Sequence, residues 1–310
     1  MTTLAAEQVA PGVWMLHLPI PDGYLLRVVN VFAIEDDEGG VHLVDAGWGT
    51  EAAWTALVEQ LGGLHRDIAD VRSVTLTHHH EDHRGLANRI REASGANVAM
   101  HRADVAAQAT PRAASDEELR ALGVPEQTRR VLIESEPPVS TPTKVDQALE
   151  DGDDLAIPGR RVVVVHTPGH SLGSICLAMP DEELLFLGDH ILTDISPGVG
   201  LIPGRDGQDA LTTYLESLRR ISPMREWRGL PGHGAVIDQL GARVDAIAQH
   251  QLRRGDAARA KRAEFPGASI WEIASMLQWG PGWDGLKPWH RVSALRQTAM
   301  HIAHSGQAAN

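Results

Sequence analysis

The chain has 310 residues, 43% of them hydrophobic and 22% charged, enough apolar material for one large domain or a domain with an appendage and far from the disordered class. Its 28 basic and 41 acidic residues leave a net charge of −13, which argues against a phosphate-backbone partner, because such affinity rests on an excess of Lys and Arg. A single cysteine, Cys176, excludes an internal disulfide; the start "MTTLAAEQVAPGVW" lacks a signal-peptide pattern, and no run reaches the roughly 18 apolar residues of a membrane helix, so the expectation is a soluble cytoplasmic protein.

In chain order, "GVWMLHLPI" and "VVNVFAIED" read as strands, and "VHLVDAGWG" as a strand closing in a turn at Asp45–Gly49. "TEAAWTALVEQLGG" has apolar residues at helical spacing, "VRSVTL" is a buried strand, "GLANRIREASG" returns to a helical period and "ANVAMH" is a further strand. Strand and helix in alternation mark a layered α/β domain. From about 102 to 143 the pattern changes. "RADVAAQA" and "SDEELRALGVPEQTRRVLIES" are helix-like, with Ser115 and Glu118 spaced as a capping box, and "EPPVSTPT" is a Pro-rich connector. This reads as a helical insertion, a lid or a surface helical pair. Strands resume with "RRVVVVHTPGH", "SICLAMP" and "ELLFLGD". The helix "GQDALTTYLESLRRI" leads to a last strand and loop, "WRGLPGHGAVI", and the rest is helical: "RVDAIAQHQLRRGDAARAKRA", "SIWEIASMLQ" and "WHRVSALRQTAMHIAHSG". The organisation expected is a domain over 1–240 with its insertion, then a C-terminal helical extension over 241–310.

The chemistry concentrates in "THHHEDHRG", residues 77–85. In an extended stretch, side chains two apart point to one side, so His78 and His80 can face one ion together. His79 then points away and is the idle histidine, solvated rather than functional. Asp82 and His83 sit where the chain turns into a helix beginning near Gly85 and can face a second direction. Each ion wants about four ligands. Three candidates for the remainder each follow a strand: His170 in "HTPGHS", Asp189 in "LFLGDH" and His233 in "LPGHG". A carboxylate such as Asp189 can bridge two cations held roughly 3.5–4 Å apart.

The order "LVDAGWG", "THHHEDHRG", "HTPGHS", "FLGD", "LPGHG" resembles the metallo-β-lactamase superfamily, over about residues 30–235. The resemblance implies an α/β fold, an αββα sandwich with metals at one edge of its two sheets. It also implies that His78, His80 and His170 bind a first metal, that Asp82, His83 and His233 bind a second, that Asp189 bridges them, and that Asp45 supports the ligand loops. Departures narrow the branch. Lactam-cleaving members typically lack this bridging-aspartate pattern or carry a Cys ligand, whereas Cys176 lies outside every motif. Diiron flavoproteins have Glu where this chain has His80. The chain looks most like the glyoxalase II and lactonase branch, which cuts thioesters, lactones and related esters.

The function this implies is a dinuclear metal-dependent hydrolase. It would hold two divalent ions, zinc first and iron or manganese as alternatives, and use a metal-bridging hydroxide to cleave an ester-like bond of a small molecule. Asp82 and Asp189 would be the catalytic acids, Asp82 also moving a proton. Alternatives within the fold are a mononuclear-iron, persulfide-dioxygenase-like redox enzyme, a ribonuclease, disfavoured by the acidic charge, and a β-lactam hydrolase. No nucleic-acid or membrane partner is expected, and a homodimer is compatible with the sequence. His101, His166 and His190 read as structural, Tyr24, Trp48 and Trp289 as packing aromatics, and "RRGDAARAKR" as a solvated helix face.

Overall fold

Short, mostly apolar runs form the first sheet, buried on both faces of its central strands, in a computed structural model of the chain. It describes residues 5–108, 113–135, 141–200 and 210–304, which fall into two units. The first unit takes residues 1–110, 140–197 and 220–244; the second takes 111–139, 198–219 and 245–310.

In the first unit, β1 (Glu7–Ala10), β2 (Val13–Pro19), β3 (Val28–Glu35), β4 (Val41–Val44), β5 (Val71–Leu76), β6 (Asn97–His101) and β7 (Gln147–Leu149) lie side by side in chain order. Pairing is antiparallel as far as β4 and parallel from β4 to β7. Parallel pairing needs crossovers. The connections carry α1 (Glu51–Gly63), a one-turn α2 (Glu81–Arg84), α3 (Ala87–Ser94) and, after β6, α4 (Arg102–Ala107). The Thr50 hydroxyl caps α1 by accepting from Ala53 N, and α3 stops at left-handed Gly95. A second sheet has the order β11-β10-β9-β8, built from β8 (Val163–His166), β9 (Ile175–Met179), β10 (Leu184–Gly188) and β11 (Arg228–Pro231). The strands β1 and β7 have no counterpart in the sequence reading, being only 4 and 3 residues long.

The two faces of the first sheet bury different sets of side chains. Met15, Phe32, Ile34 and Val44 meet Leu177, Met179, Phe186 and Leu230 of the second sheet. Leu16, Leu18, Val31, Leu43, Val74 and Leu76 point the other way, against Leu57 and Leu61 of α1 and Ile90 of α3. Because the period is two, a one-residue slip would exchange these cores, so the register is fixed. Phe32 and Phe186 meet edge to face across the inter-sheet core, 5.2 Å between centroids.

This packing positions the site. β4 and β5 are parallel, as are β10 and β11, while β8 runs antiparallel to β9 and β9 to β10. The loops leaving β4 and β5 therefore start from one end of the first sheet, and those leaving β8, β10 and β11 from one end of the second.

The second unit is helical among its described residues: α5 (Asp116–Ala121), α6 (Glu126–Glu134), α7 (Ala210–Arg220), α8 (Leu240–Glu264), α9 (Ile270–Met276) and α10 (Pro288–Ala303), with α8 beginning in the first unit and α7 ending there. The stretch read as helix-like from Ser115 breaks in two where Gly123 takes φ +79° and Pro125 follows. Ser115 does cap α5, its hydroxyl accepting from Glu118 N, but the Glu118 carboxylate pairs with Arg296 of α10 instead of closing a capping box. Leu119, Leu132, Val292 and Leu295 form the core of this unit. Most of the Pro-rich connector, the last residue of "RADVAAQA", the first three of "GQDALTTYLESLRRI" and the end of the C-terminal stretch lie outside the described residues.

Replacing Phe186 by Ala removes a ring from a fully buried position between the sheets. The expected cost is about 3–5 kcal/mol, measured by chemical denaturation of the metal-free protein.

Candidate metal centre

Directly after β4, Asp45 adopts φ +65°, a left-handed conformation that Asp tolerates better than most residues. Its buried carboxylate accepts from Thr77 N (2.7 Å) and from the Thr77 hydroxyl (2.9 Å), and lies 2.7 Å from His83 Nδ1. The Thr77 hydroxyl, having given its proton to Asp45, accepts from His78 Nδ1 at 3.1 Å. On the far side, His233 Nδ1 lies 2.8 Å from the Val28 carbonyl, which can only accept. The consequence is shared by three rings. With Nδ1–H engaged, the Nε2 atoms of His78, His83 and His233 are turned inward, where they can act as ligands once any proton they carry is displaced.

Inward, the histidines and acids fall into two groups whose donor atoms lie within 4.8 Å of one another: His78, His80, His170 and Asp189, then Asp82, His83 and His233. In the first, His170 Nε2 is 2.9 Å from His80 Nδ1. In the second, Asp82 Oδ2 is 3.2 Å from His233 Nε2 and 3.8 Å from His83 Nε2. Asp189 straddles both, with Oδ2 3.6 Å from His170 Nε2, and Oδ1 3.3 Å from His83 Nε2 and 3.5 Å from His233 Nε2. All seven residues singled out in the sequence come together at one sheet edge. Asp82 and His83 do so from within α2 rather than from the turn before a helix, since that helical turn already begins at Glu81.

Electron-pair donors are in excess here. The Nε2 atoms of His78, His83 and His233 and the Oδ1 of Asp189 are buried without a hydrogen-bond partner. Buried polar atoms left without a hydrogen-bond partner are costly, about 1–3 kcal/mol each. Four of them converging, with carboxylates among them, suit a cation, and the imidazole–carboxylate set suits zinc, iron, manganese or cobalt. The backbone makes room for it. A Cβ on Gly232 would lie 2.7 Å from His83 Cε1 and 2.9 Å from Asp189 Oδ1, and one on Gly188 (φ +47°) would strike the Thr77 side chain.

Electrostatics separate the groups. Burial pulls the His78 imidazole down, and the charges of His83 and His170 pull it further, so it stays well below its usual range. For His83 burial pulls the same way, but the charges of Asp45, Asp189 and Asp82 overcome it and hold the ring well above. His233 is raised too: burial opposes, Asp189 and Asp82 prevail. Burial alone would push both carboxyls up. His233 and His83 hold Asp189 well below its ordinary value, and His83 with His233 holds Asp82 below.

Among the other residues singled out, His79 differs from its reading as a solvated bystander. It does point away from the site, but it is only 7% exposed, because α4 packs over it: its backbone N donates to Asp104 Oδ2 at 2.9 Å and its Nδ1 lies 3.0 Å from the same oxygen. Asp104, Thr77 and Arg84 were not legible as site residues. Arg84 is buried, donating from Nε to the His79 carbonyl and from Nη1 to the Thr141 carbonyl. Tyr24 and Trp48 pack together, centroids 4.5 Å apart, and the Tyr24 phenol is raised by burial and then by the charges of Asp82 and Glu81. His101 and His166 stack at 4.0 Å outside both groups. Cys176 is buried, its thiol pushed up to about 12 by burial, and takes no part.

Comparison with known proteins agrees with this picture. The model of the metallo-beta-lactamase superfamily matches residues 25–233. An atrochrysone carboxyl ACP thioesterase of Aspergillus fumigatus is 29% identical over 216 residues, 68% of this chain and 53% of the relative, so the chain spans about half of that relative's length. Two solved structures are similar over nearly the whole chain. A metallo-beta-lactamase family protein from Thermus thermophilus is 30% identical with a TM-score of 0.75, covering 95% of this chain and 93% of its own. A beta-lactamase domain protein from Burkholderia ambifaria is 27% identical with a TM-score of 0.78, covering 97% and 88%. With the motifs, the two-sheet fold and these matches in agreement, the chain belongs to the metallo-beta-lactamase superfamily.

Proposed function

We propose that this protein is a dinuclear metal-dependent hydrolase that cleaves an ester-like bond, a thioester in the first instance and a lactone or carboxylic ester next. The observation that carries the reading is the pair of adjacent donor groups sharing Asp189, with buried, inward-facing Nε2 atoms without a hydrogen-bond partner in both. His78, His80 and His170 would hold one divalent ion, Asp82, His83 and His233 the other, and Asp189 both. Zinc is the expected metal. The printed name of the Aspergillus fumigatus relative, a thioesterase, supports the choice of bond.

Two bound divalent ions would supply a hydroxide nucleophile at neutral pH and a Lewis acid for the carbonyl oxygen. The rest of the chemistry belongs to the chain. Asp45, Thr77 and the Val28 carbonyl orient three imidazoles with Nε2 toward the site. Asp82, an anion with its side chain 20% exposed, would take the proton released from the attacking water and hand it on to solvent or to the leaving group. Asp189, with its side chain only 10% exposed and tied to both groups, stays anionic and keeps the two halves together.

Substituting Ala for His78, His170 or His233 is expected to lower kcat/KM on a thioester or aryl ester by about 10²–10³-fold or more, with loss of bound metal. Two metal ions per chain by elemental analysis, and ester hydrolysis lost on chelation and restored by zinc, are the expected results. One iron per chain with oxygen consumption would replace the hydrolytic reading.

The histidine shifts give a pH order. In the metal-free protein His83 and His233 keep a proton to higher pH than an ordinary imidazole, and an ion must displace it, whereas His78 gives up its proton at lower pH. Affinity at the Asp82–His83–His233 group should therefore fall about tenfold per pH unit for each proton displaced as pH drops below the raised values, and level off above them. Metal content after dialysis across pH 5–9 should show that this group empties first on acidification. Loss of both ions together, or of the His78–His80–His170 ion first, would contradict the assignment.

A further inference from the structure

Asp104 belongs to neither donor group and is 0% exposed. A buried carboxylate is expensive unless its oxygens are fully hydrogen-bonded, and this one is saturated. Oδ1 accepts from Gly173 N at 2.6 Å. Oδ2 accepts from His79 N at 2.9 Å and from the Ser171 hydroxyl at 2.7 Å, and lies 3.0 Å from His79 Nδ1. The fit is close on the backbone side as well: a Cβ on Gly173 would stand 2.6 Å from Asp104 N. Ser171 and Ser174 complete the network, their hydroxyls 2.7 Å apart.

These partners come from two loops that belong to different sheets. His79 lies between His78 and His80 in the loop after β5 of the first sheet. Ser171 and Gly173 follow His170 in the loop after β8 of the second. Among the described residues no strand pairing joins these two sheets; their shared core is apolar side chains, and directed backbone hydrogen bonds cross between them at a few points, such as Ile175 N to the Thr77 carbonyl (2.9 Å) and Asn30 N to the Gly232 carbonyl (2.7 Å). The Asp104 carboxylate adds the side-chain tie on the far side of His78 and His80, at His79 and at Ser171–Gly173. We infer that Asp104 is a positioning residue: its carboxylate clamps the two loops and so sets the spacing of the His80 and His170 rings, whose centroids lie 4.5 Å apart. Resting on the proposed two-ion reading, this makes Asp104 a determinant of the His78–His80–His170 half alone. The other half, Asp82, His83 and His233, is oriented through Asp45 and Val28 and lies outside the clamp.

Asp104→Asn tests this. An amide offers one oxygen, so either Gly173 N or the His79 N and Ser171 hydroxyl donors at Oδ2 would face an NH2 group. Measured on the full chain by chelator competition, affinity for the ion at the His78–His80–His170 group should fall about 10–100-fold, the range seen when a partner holding a metal ligand is lost. Affinity at the other group should change less than about threefold, and the cobalt(II) absorption of the first group should shift. Ser171→Ala, which leaves the carboxylate and its remaining donors in place, should give a smaller loss in the same direction. The double variant should be no worse than Asp104→Asn, because Ser171 acts through that carboxylate. Wild-type affinity at both groups in the two single variants overturns the inference. So does an equal loss at both groups that tracks a lowered Tm, the mark of general destabilisation. Should the wild-type chain bind no metal, the proposed function falls, and amide exchange of the metal-free variants decides the clamp: faster exchange confined to residues 78–80 and 171–174 supports it, and unchanged exchange refutes it.

Discussion

The Asp45 carboxylate is the constraint on which the site turns. Held in a left-handed turn at the end of β4, it takes hydrogens from the Thr77 backbone and hydroxyl and faces His83 Nδ1. One buried anion thereby sets the direction of the ligand loop, the tautomer of His83 directly and that of His78 through Thr77. Removing its charge would leave two imidazoles free to turn their protons inward, and a site lined with N–H groups repels the cation that bare nitrogens attract.

That local arrangement works because the two sheets deliver their loops to one edge. The two-residue period of β2 and β3 assigns successive apolar side chains to opposite faces of the first sheet, and Phe32 meets Phe186 on the face turned to the second. The donors then arrive from turns far apart in sequence, at Asp45, residues 77–83, His170, Asp189 and His233. Bringing several carboxylates and imidazoles into a buried space is unfavourable in isolation. The opposite shifts of His83 and Asp189 show the charges compensating one another across the two groups. A pair of divalent ions would take over that compensation and free the histidines of their protons.

His79 and Asp104 place a second anion behind the first donor group, as Asp45 stands behind the second. Asp45 reaches into both halves, to His83 directly and to His78 through Thr77, whereas Asp104 ties down only the chain beside His80 and His170. The two also differ in kind: Asp45 touches a ligand ring, whereas Asp104 holds the chain on either side of the ligands.

Much of this was written in the linear sequence. The spacing of "THHHEDH" sorted His78 and His80 from His79, because alternation along an extended chain needs no tertiary information, and strand-ending turns rich in Gly and Pro marked His170, Asp189 and His233 as residues presented at a sheet edge. Family motifs in order gave the fold. Where His79 goes was decided only in three dimensions: facing away from an ion means facing solvent unless something packs there, and α4 does. The same holds for Asp104, an ordinary acid in a helical pattern until a loop distant in sequence donates to it, and for the break between α5 and α6, where one Gly and one Pro outweigh a helical period. Local periodicity determined which residues could act together; the packing of separate segments determined which atoms they turn toward one another, because hydrogen-bond direction and burial are properties of contacts between segments.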